Sequence, residues 1–106
     1  MIRALTFIRE NSEKPIQVRE AASRAGISRR VLERRFKEVL GSTPAAHIRR
    51  CHLDRAKQLL SGTALSMPDV AEASGFGSAA YMAFIFRKEL RITPMNYRRS
   101  ARGMKR

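Results

Sequence analysis

The stretch Ala22–Pro44, ASRAGISRRVLERRFKEVLGSTP, returns as Ala71–Pro94, AEASGFGSAAYMAFIFRKELRITP. Ala22, Gly26 and Ile27 recur 49 positions later as Ala71, Gly75 and Phe76. Gly77 is then one extra residue, after which Ser28, Phe36, Leu40, Thr43 and Pro44 recur 50 positions later as Ser78, Phe86, Leu90, Thr93 and Pro94. A repeat sets the unit that folds, so it has to be found before a fold is named. Each copy reads as a short helix, a glycine turn and a longer helix opened by a serine N-cap. The small residue four positions before the glycine lets two helices approach closely, and the glycine turns the chain sharply. That is the packing of a helix-turn-helix, whose second helix is offered to a DNA major groove. An ordinary helical hairpin uses the same Ala and Gly; the duplication and the charge of the chain weigh against it.

The rest of the chain fits around the two copies. Apolar residues recur at helical spacing, and no segment alternates long enough for a strand. Ile2, Leu5 and Ile8 mark a first helix that ends near Asn11–Lys14, before Pro15. Val18 to Ala25 is a short helix closed by Gly26. After Ser28, Leu32, Phe36, Val39 and Leu40 form one inward stripe of a helix that Gly41 stops. From Pro44, a first-turn residue, a linker helix runs to Leu60 with Ile48, Ala56, Leu59 and Leu60 inward, and Ser61 and Gly62 end it. At about 1.5 Å per residue it is roughly 25 Å long. Pro68 to Ser74 is a short helix closed by Gly75. Ser78 caps a helix carrying Met82, Ile85, Phe86 and Leu90, and Pro94 to Arg99 is the last helix. Ser100 to Arg106 reads as a mobile basic tail. The expected architecture is all-α, with seven helices. Residues 2–43 form the first unit, 44–60 the linker, 61–99 the second unit and 100–106 the tail.

Composition narrows the partner. The 106 residues hold 22 Lys and Arg against 9 Asp and Glu, a formal charge of +13. A charge that large repels itself in the compact state and points to a polyanion: nucleic acid first, an anionic membrane surface second. Ala supplies 14 of the 46 apolar residues and there is no Trp, so the core is thin and built from close helix contacts. A single cysteine excludes an internal disulfide framework and a multi-thiolate zinc site, and fits a reducing cytosol. The longest apolar run, Ala79 to Phe86, is far short of the roughly 20 residues of a membrane-spanning helix. Met1 to Arg9 carries charges inside its only apolar stretch, unlike a signal peptide.

Helical wheels at 100° per residue select the groove-facing residues. With Leu32 at the core, Arg30, Glu33, Arg34 and Lys37 fall on the opposite face. Arg can bond the acceptor edge of guanine and Glu can accept from the cytosine amino group, so Arg30, Glu33 and Arg34 can read base identity. The alternative is a solvated face in which Glu33 pairs with Lys37. Ser28, Arg29 and the free amides of the first turn suit a phosphate oxygen. In the second copy Met82 replaces Leu32 and the outward face becomes Ala80, Ala83, Phe84 and Arg87. That helix is expected to give phosphate contacts through Ser78, Arg87 and Lys88 and apolar contact with thymine methyl groups, more than directional readout. Phe84 either lies in the groove or is buried against a neighbouring helix or a partner.

Other residues carry less. His47 and Cys51 share a face of the linker helix at i, i+4; with no second thiolate, a packed Cys and a surface His are expected, and no metal. The serines sit at caps and turns, no catalytic grouping is present, and Gly75 and Gly77 lack the rest of a phosphate-cradling motif. No enzyme and no cofactor is expected.

These residues resemble the DNA-binding domain of the AraC/XylS family of bacterial transcription regulators over almost the whole chain, Ile2 to about Arg99. The resemblance lies in GISRRVLERRFKEVLGSTP from Gly26, HIRRCHLDRAKQLL from His47, PDVAEASGFGS from Pro68 and FRKELRITPMNYR from Phe86. Ala4 to Lys37 is more particularly similar to the xylose-operon regulators of that family. The resemblance implies two helix-turn-helix units on a rigid linker helix, placed in successive major grooves of double-stranded DNA. It puts base-reading positions at Arg30, Glu33 and Arg34 and at Ala79, Ala80, Ala83 and Phe84. It further implies a cytoplasmic, nucleoid location, RNA polymerase as a partner, and an effector, a sugar on the xylose-operon likeness, bound by a domain outside this chain. A fragment of a longer regulator is then expected over a small complete one, because the first helix begins almost at Met1. A nonspecific nucleoid-coating protein is the alternative function. Phe84 stands where many members have Arg, Arg91 replaces a usual helix-ending glycine, and His52 replaces a common Arg. Arg91 would carry about 1 kcal/mol of strain if left-handed, and the ion pair of that common Arg would be absent or pH-dependent.

Overall fold

In the computed structural model, which describes residues 1–103, five helices start at a hydroxyl side chain that accepts a first-turn amide hydrogen. Ser28 accepts from Val31, Thr43 from Ala46, Ser66 from Asp69, Ser78 from Tyr81 and Thr93 from Asn96. Each such bond satisfies a donor that the helix itself leaves without a partner. The helices are α1 (Ile2–Glu10), α2 (Val18–Ala25), α3 (Arg29–Leu40), α4 (Pro44–Gly62), α5 (Met67–Ala73), α6 (Ala79–Leu90) and α7 (Pro94–Ala101). The fold is all-α, as the periodicity implied.

Two cores are strung along α4. The first gathers Ala4, Ile8, Val18, Ala22, Leu32 and Phe36 with Ile48 of α4. The second gathers Val70, Ala71, Phe76, Met82, Ile85 and Phe86 with Leu53, Ala56 and Leu60 of α4. The result is elongated, 49 × 23 × 20 Å. The repeat extends past Thr-Pro: Phe36 meets His47 edge to face at 5.7 Å, and Phe86 meets Tyr97, fifty positions on, edge to face at 6.0 Å. His47 is therefore half-buried on an aromatic rather than a free surface residue.

Several sequence expectations are corrected. Val39 and Leu40 belong to the wheel's inward stripe but are 68% and 44% exposed, because the last turn of α3 runs on past Phe36, its final residue in the core. Ile2 is also exposed. The linker helix continues through Ser61 and Gly62 instead of ending at Leu60. Arg98 explains this: its Nε donates to the Leu60 carbonyl at 3.0 Å and its Nη2 to the Thr63 carbonyl at 3.2 Å, placing a cation on the negative end of α4. Arg102 Nη2 also donates to the Thr63 carbonyl. Ser100 and Ala101, expected in a mobile tail, are helical, and residues 104–106 of that tail lie outside the described residues. α5 begins at Met67, one residue early, because Ser66 caps it, and Ser74 falls outside the helix. Leu53 and His52 are buried on α4 although neither belongs to the expected inward set, and Leu59 of that set is only half-buried.

His52 is a buried ring on α4. Its Nε2 bonds the Lys14 carbonyl at 2.8 Å, and burial pushes its pKa below the ordinary 6.5, with that hydrogen bond opposing the shift. Burial, and then Arg50, lowers His47 in the same way. The unfolded chain takes up protons near pH 6.5 that the folded rings resist. Their contribution to stability is therefore complete above that pH and is lost as pH falls. The melting temperature should drop between about pH 7.5 and about pH 5.5, and His52→Gln should lessen the drop. An unchanged or rising melting temperature across that range would show the rings titrating freely.

Arg91 ends α6 with φ 64°, the one non-glycine residue at positive φ among those described. Its equivalent in the first unit, Gly41, adopts φ 71° at the end of α3. The side chain costs about 1 kcal/mol there. Arg91→Gly should raise the melting temperature by roughly 4–8 °C for each kcal/mol recovered; a lower melting temperature would mean that the arginine makes compensating contacts.

Candidate nucleic-acid interface

α3 and α6 occupy equivalent positions in the two units, each capped by serine and closed by a left-handed residue, yet their outer surfaces differ in chemistry. On α3, Arg30, Arg34 and Lys37 are exposed cations. Glu33 accepts from Arg29 Nε at 3.0 Å, so it pairs back toward the helix start and not with Lys37. Exposed pairs of this kind contribute about 0.2–1 kcal/mol. A base or phosphate can therefore draw either partner away at small cost. The Ser28 oxygen accepts from Val31, which leaves its hydroxyl hydrogen free to donate to a phosphate, and the same holds for Ser78 above Tyr81.

On α6 the positions equivalent to Arg29 and Glu33 are Ala79 and Ala83. Among the described residues no ion pair covers that flank, and the two alanines with Ala80, Met67, Pro94 and Met95 line an open, largely apolar cleft that Thr93 also borders. Phe84 is 59% exposed beside it, so no helix of the described domain buries this ring. Arg87 and Lys88 are exposed. Around them, Arg87, Arg91, Thr93 and Asn96 line a second, polar concavity. Sequence reasoning missed Met67, Met95 and Asn96, which reach the surface from α5 and α7. It noted Arg91 only for its backbone. An apolar cleft on a helix that also carries exposed cations suits a methyl-bearing base edge beside phosphates.

The linker helix also meets α6 through an ion pair: Arg49 Nε lies 3.3 Å from Glu89 Oε2. Cys51 packs against the first core, and burial raises its thiol pKa, with Asp54 adding to the rise and Arg50 opposing it. A protonated thiol beside a histidine turned onto Phe36 is a poor metal-ligand pair. No group of three or more His, Cys, Asp or Glu among the described residues could hold a metal. None of the described helices is long and apolar enough to cross a membrane.

Two cores, a shared linker and paired recognition helices define a double helix-turn-helix domain. A family profile described as "Helix-turn-helix domain" matches residues 21–100, and the chain belongs to the AraC-type helix-turn-helix family of transcription regulators. It is 38% identical over 98 residues to the xylose operon regulatory protein of Escherichia coli K12, covering 92% of this chain and 25% of that protein. The chain thus spans about a quarter of the length of that relative. Among solved structures, a transcriptional regulator with an AraC-type DNA-binding domain from Chromobacterium violaceum superposes with a TM-score of 0.86 at 33% identity, covering 97% of this chain and 92% of that one. The DNA-binding domain of the global transcriptional factor AdpA, solved in complex with a target DNA, gives 0.88 at 29% identity, covering 97% and 96%.

Proposed function

We propose that this domain binds double-stranded DNA at two half-sites and reads them by different means. α3 reads the first with hydrogen bonds from Arg30, Glu33, Arg34 and Lys37, while Ser28 and Arg29 hold the phosphates. α6 reads the second through apolar contact of Ala79, Ala80, Ala83 and Phe84 with thymine methyl groups, while Ser78, Arg87 and Lys88 hold the backbone. The observation that carries this is the replacement of the Arg29–Glu33 pair by Ala79 and Ala83, which turns a charged flank into an apolar cleft on a helix that also carries the exposed cations Arg87 and Lys88. The AdpA domain, solved on its target DNA, has the same fold and supports the reading. The likeness to a xylose operon regulatory protein about four times as long supports a larger regulator with a sugar as effector; a cytoplasmic location and RNA polymerase as partner are part of the same proposal. We assign the chain a binding role and no catalytic one.

Selection from random duplex DNA should return two half-motifs about 10 base pairs apart. On the selected site, Arg34→Ala should weaken binding by roughly 1–3 kcal/mol and flatten preference at one base pair. An equal loss on random DNA would remove its base-reading role and favour a nonspecific nucleoid protein. Replacing thymine by uracil, which deletes the methyl group, should cost affinity in the second half-site and little in the first. Equal sensitivity in both would contradict the division between α3 and α6.

A further inference from the structure

The two cores share no residue, and both units pack on α4, with α1, α2 and α3 on one stretch and α5 and α7 on the other. Such a shape can flex about its linker unless something pins one unit to the other. His52 lies between the cores and in neither. It is 7% exposed and is the one buried ionisable side chain among the described residues. Its Nε2 meets the Lys14 carbonyl, in the loop between α1 and α2, at 2.8 Å. A carbonyl only accepts, so Nε2 carries the hydrogen.

The other side of the ring belongs to the second unit. It meets Phe76 edge to face at 5.7 Å, and the Gly75 backbone closes on the same point. A Cβ built on Gly75 would lie 2.5 Å from His52 Nε2 and 2.8 Å from the Lys14 carbonyl oxygen. A loop of the first unit, the middle of the linker and the turn of the second unit therefore converge on one imidazole. Only a glycine leaves room for it.

We propose that this junction sets the separation at which the domain accepts its two half-sites, and that His52 is the positioning residue that enforces it. The inference rests on the two-unit DNA reading above. One added base pair moves the second half-site by about 3.4 Å and turns it by about 35° about the DNA axis. A domain pinned at His52 cannot follow that displacement, whereas one hinged about α4 can. The hydrogen bond resists opening on the Lys14 side, and the ring against Phe76 resists closing.

The test is anisotropy binding on duplexes carrying the selected half-sites with zero, one or two base pairs inserted, on the first half-site alone and on random DNA. Wild type should lose about tenfold or more in affinity per insertion. His52→Leu keeps an apolar body against Phe76 and removes the donor; it should bind the single half-site as wild type does and narrow the insertion penalty to within about threefold. His52→Gln, whose amide can donate to the same carbonyl, should restore the penalty. A purely structural role would weaken all duplexes alike.

Circular dichroism checks folding. If the leucine variant does not fold, His52→Phe, which keeps an aromatic body against Phe76 and removes the donor, carries the same expectation. A folded variant that lacks the His52 donor yet keeps the wild-type spacing profile overturns the proposal. So does a wild type that selects its site yet tolerates insertions, which leaves the two-unit reading standing. A wild type that does not separate selected from random DNA removes that reading and this proposal together.

Discussion

The linker helix gives Ile48 to one core and Leu53, Ala56 and Leu60 to the other, so each unit is completed by side chains that it does not itself supply. Three short helices have little apolar surface to remove from water, and burial at about 25 cal/mol per Å² has to offset the ordering of the chain. Docking on a shared helix answers that shortage for both units at once. It also makes their relative orientation a property of α4 and of what is wedged beside it. Arg98 at the helix's C-terminal end, the Arg49–Glu89 pair to α6 and His52 at its middle all act on that one element.

Duplication copied the scaffold and left the chemistry free to diverge. Serine caps, closing left-handed residues and aromatic pairs match from unit to unit. Where the first unit sets Arg29 against Glu33, the second has two alanines and an open cleft. A hydrogen-bonding face discriminates by direction and distance, whereas a methyl-accepting face discriminates by shape. On the proposed reading, two such faces on one frame divide affinity and selectivity unevenly between the half-sites.

The fold was legible in the sequence because its determinants are local. A serine N-cap needs an amide three residues on, and a helix-ending glycine needs only its own φ; both are visible in a string of residues. The charged face of α3 was legible for the same reason, since a wheel needs nothing but helical geometry. What failed were statements about distant neighbours. Val39 and Leu40 satisfy the period of α3 but lie beyond the reach of the core. The linker runs on through Gly62 because Arg98, 38 positions from Leu60, bonds its last turn. Glu33 has three cations three or four positions away, Arg29, Arg30 and Lys37, and the periodic pattern does not choose among them.

The sequence by itself determined the class of the domain: a repeated capped hairpin of helices, a basic face on α3 and an apolar one on α6. These follow from residue type and spacing along a single helix. The tertiary structure alone decided how the two copies are held to each other, what surrounds the cleft beside α6, and that His52 lies buried where three separate stretches of chain converge. Those properties depend on contacts between Lys14, His52 and Gly75, or between Met67, Ala83 and Met95, residues brought together only once the chain has closed around α4.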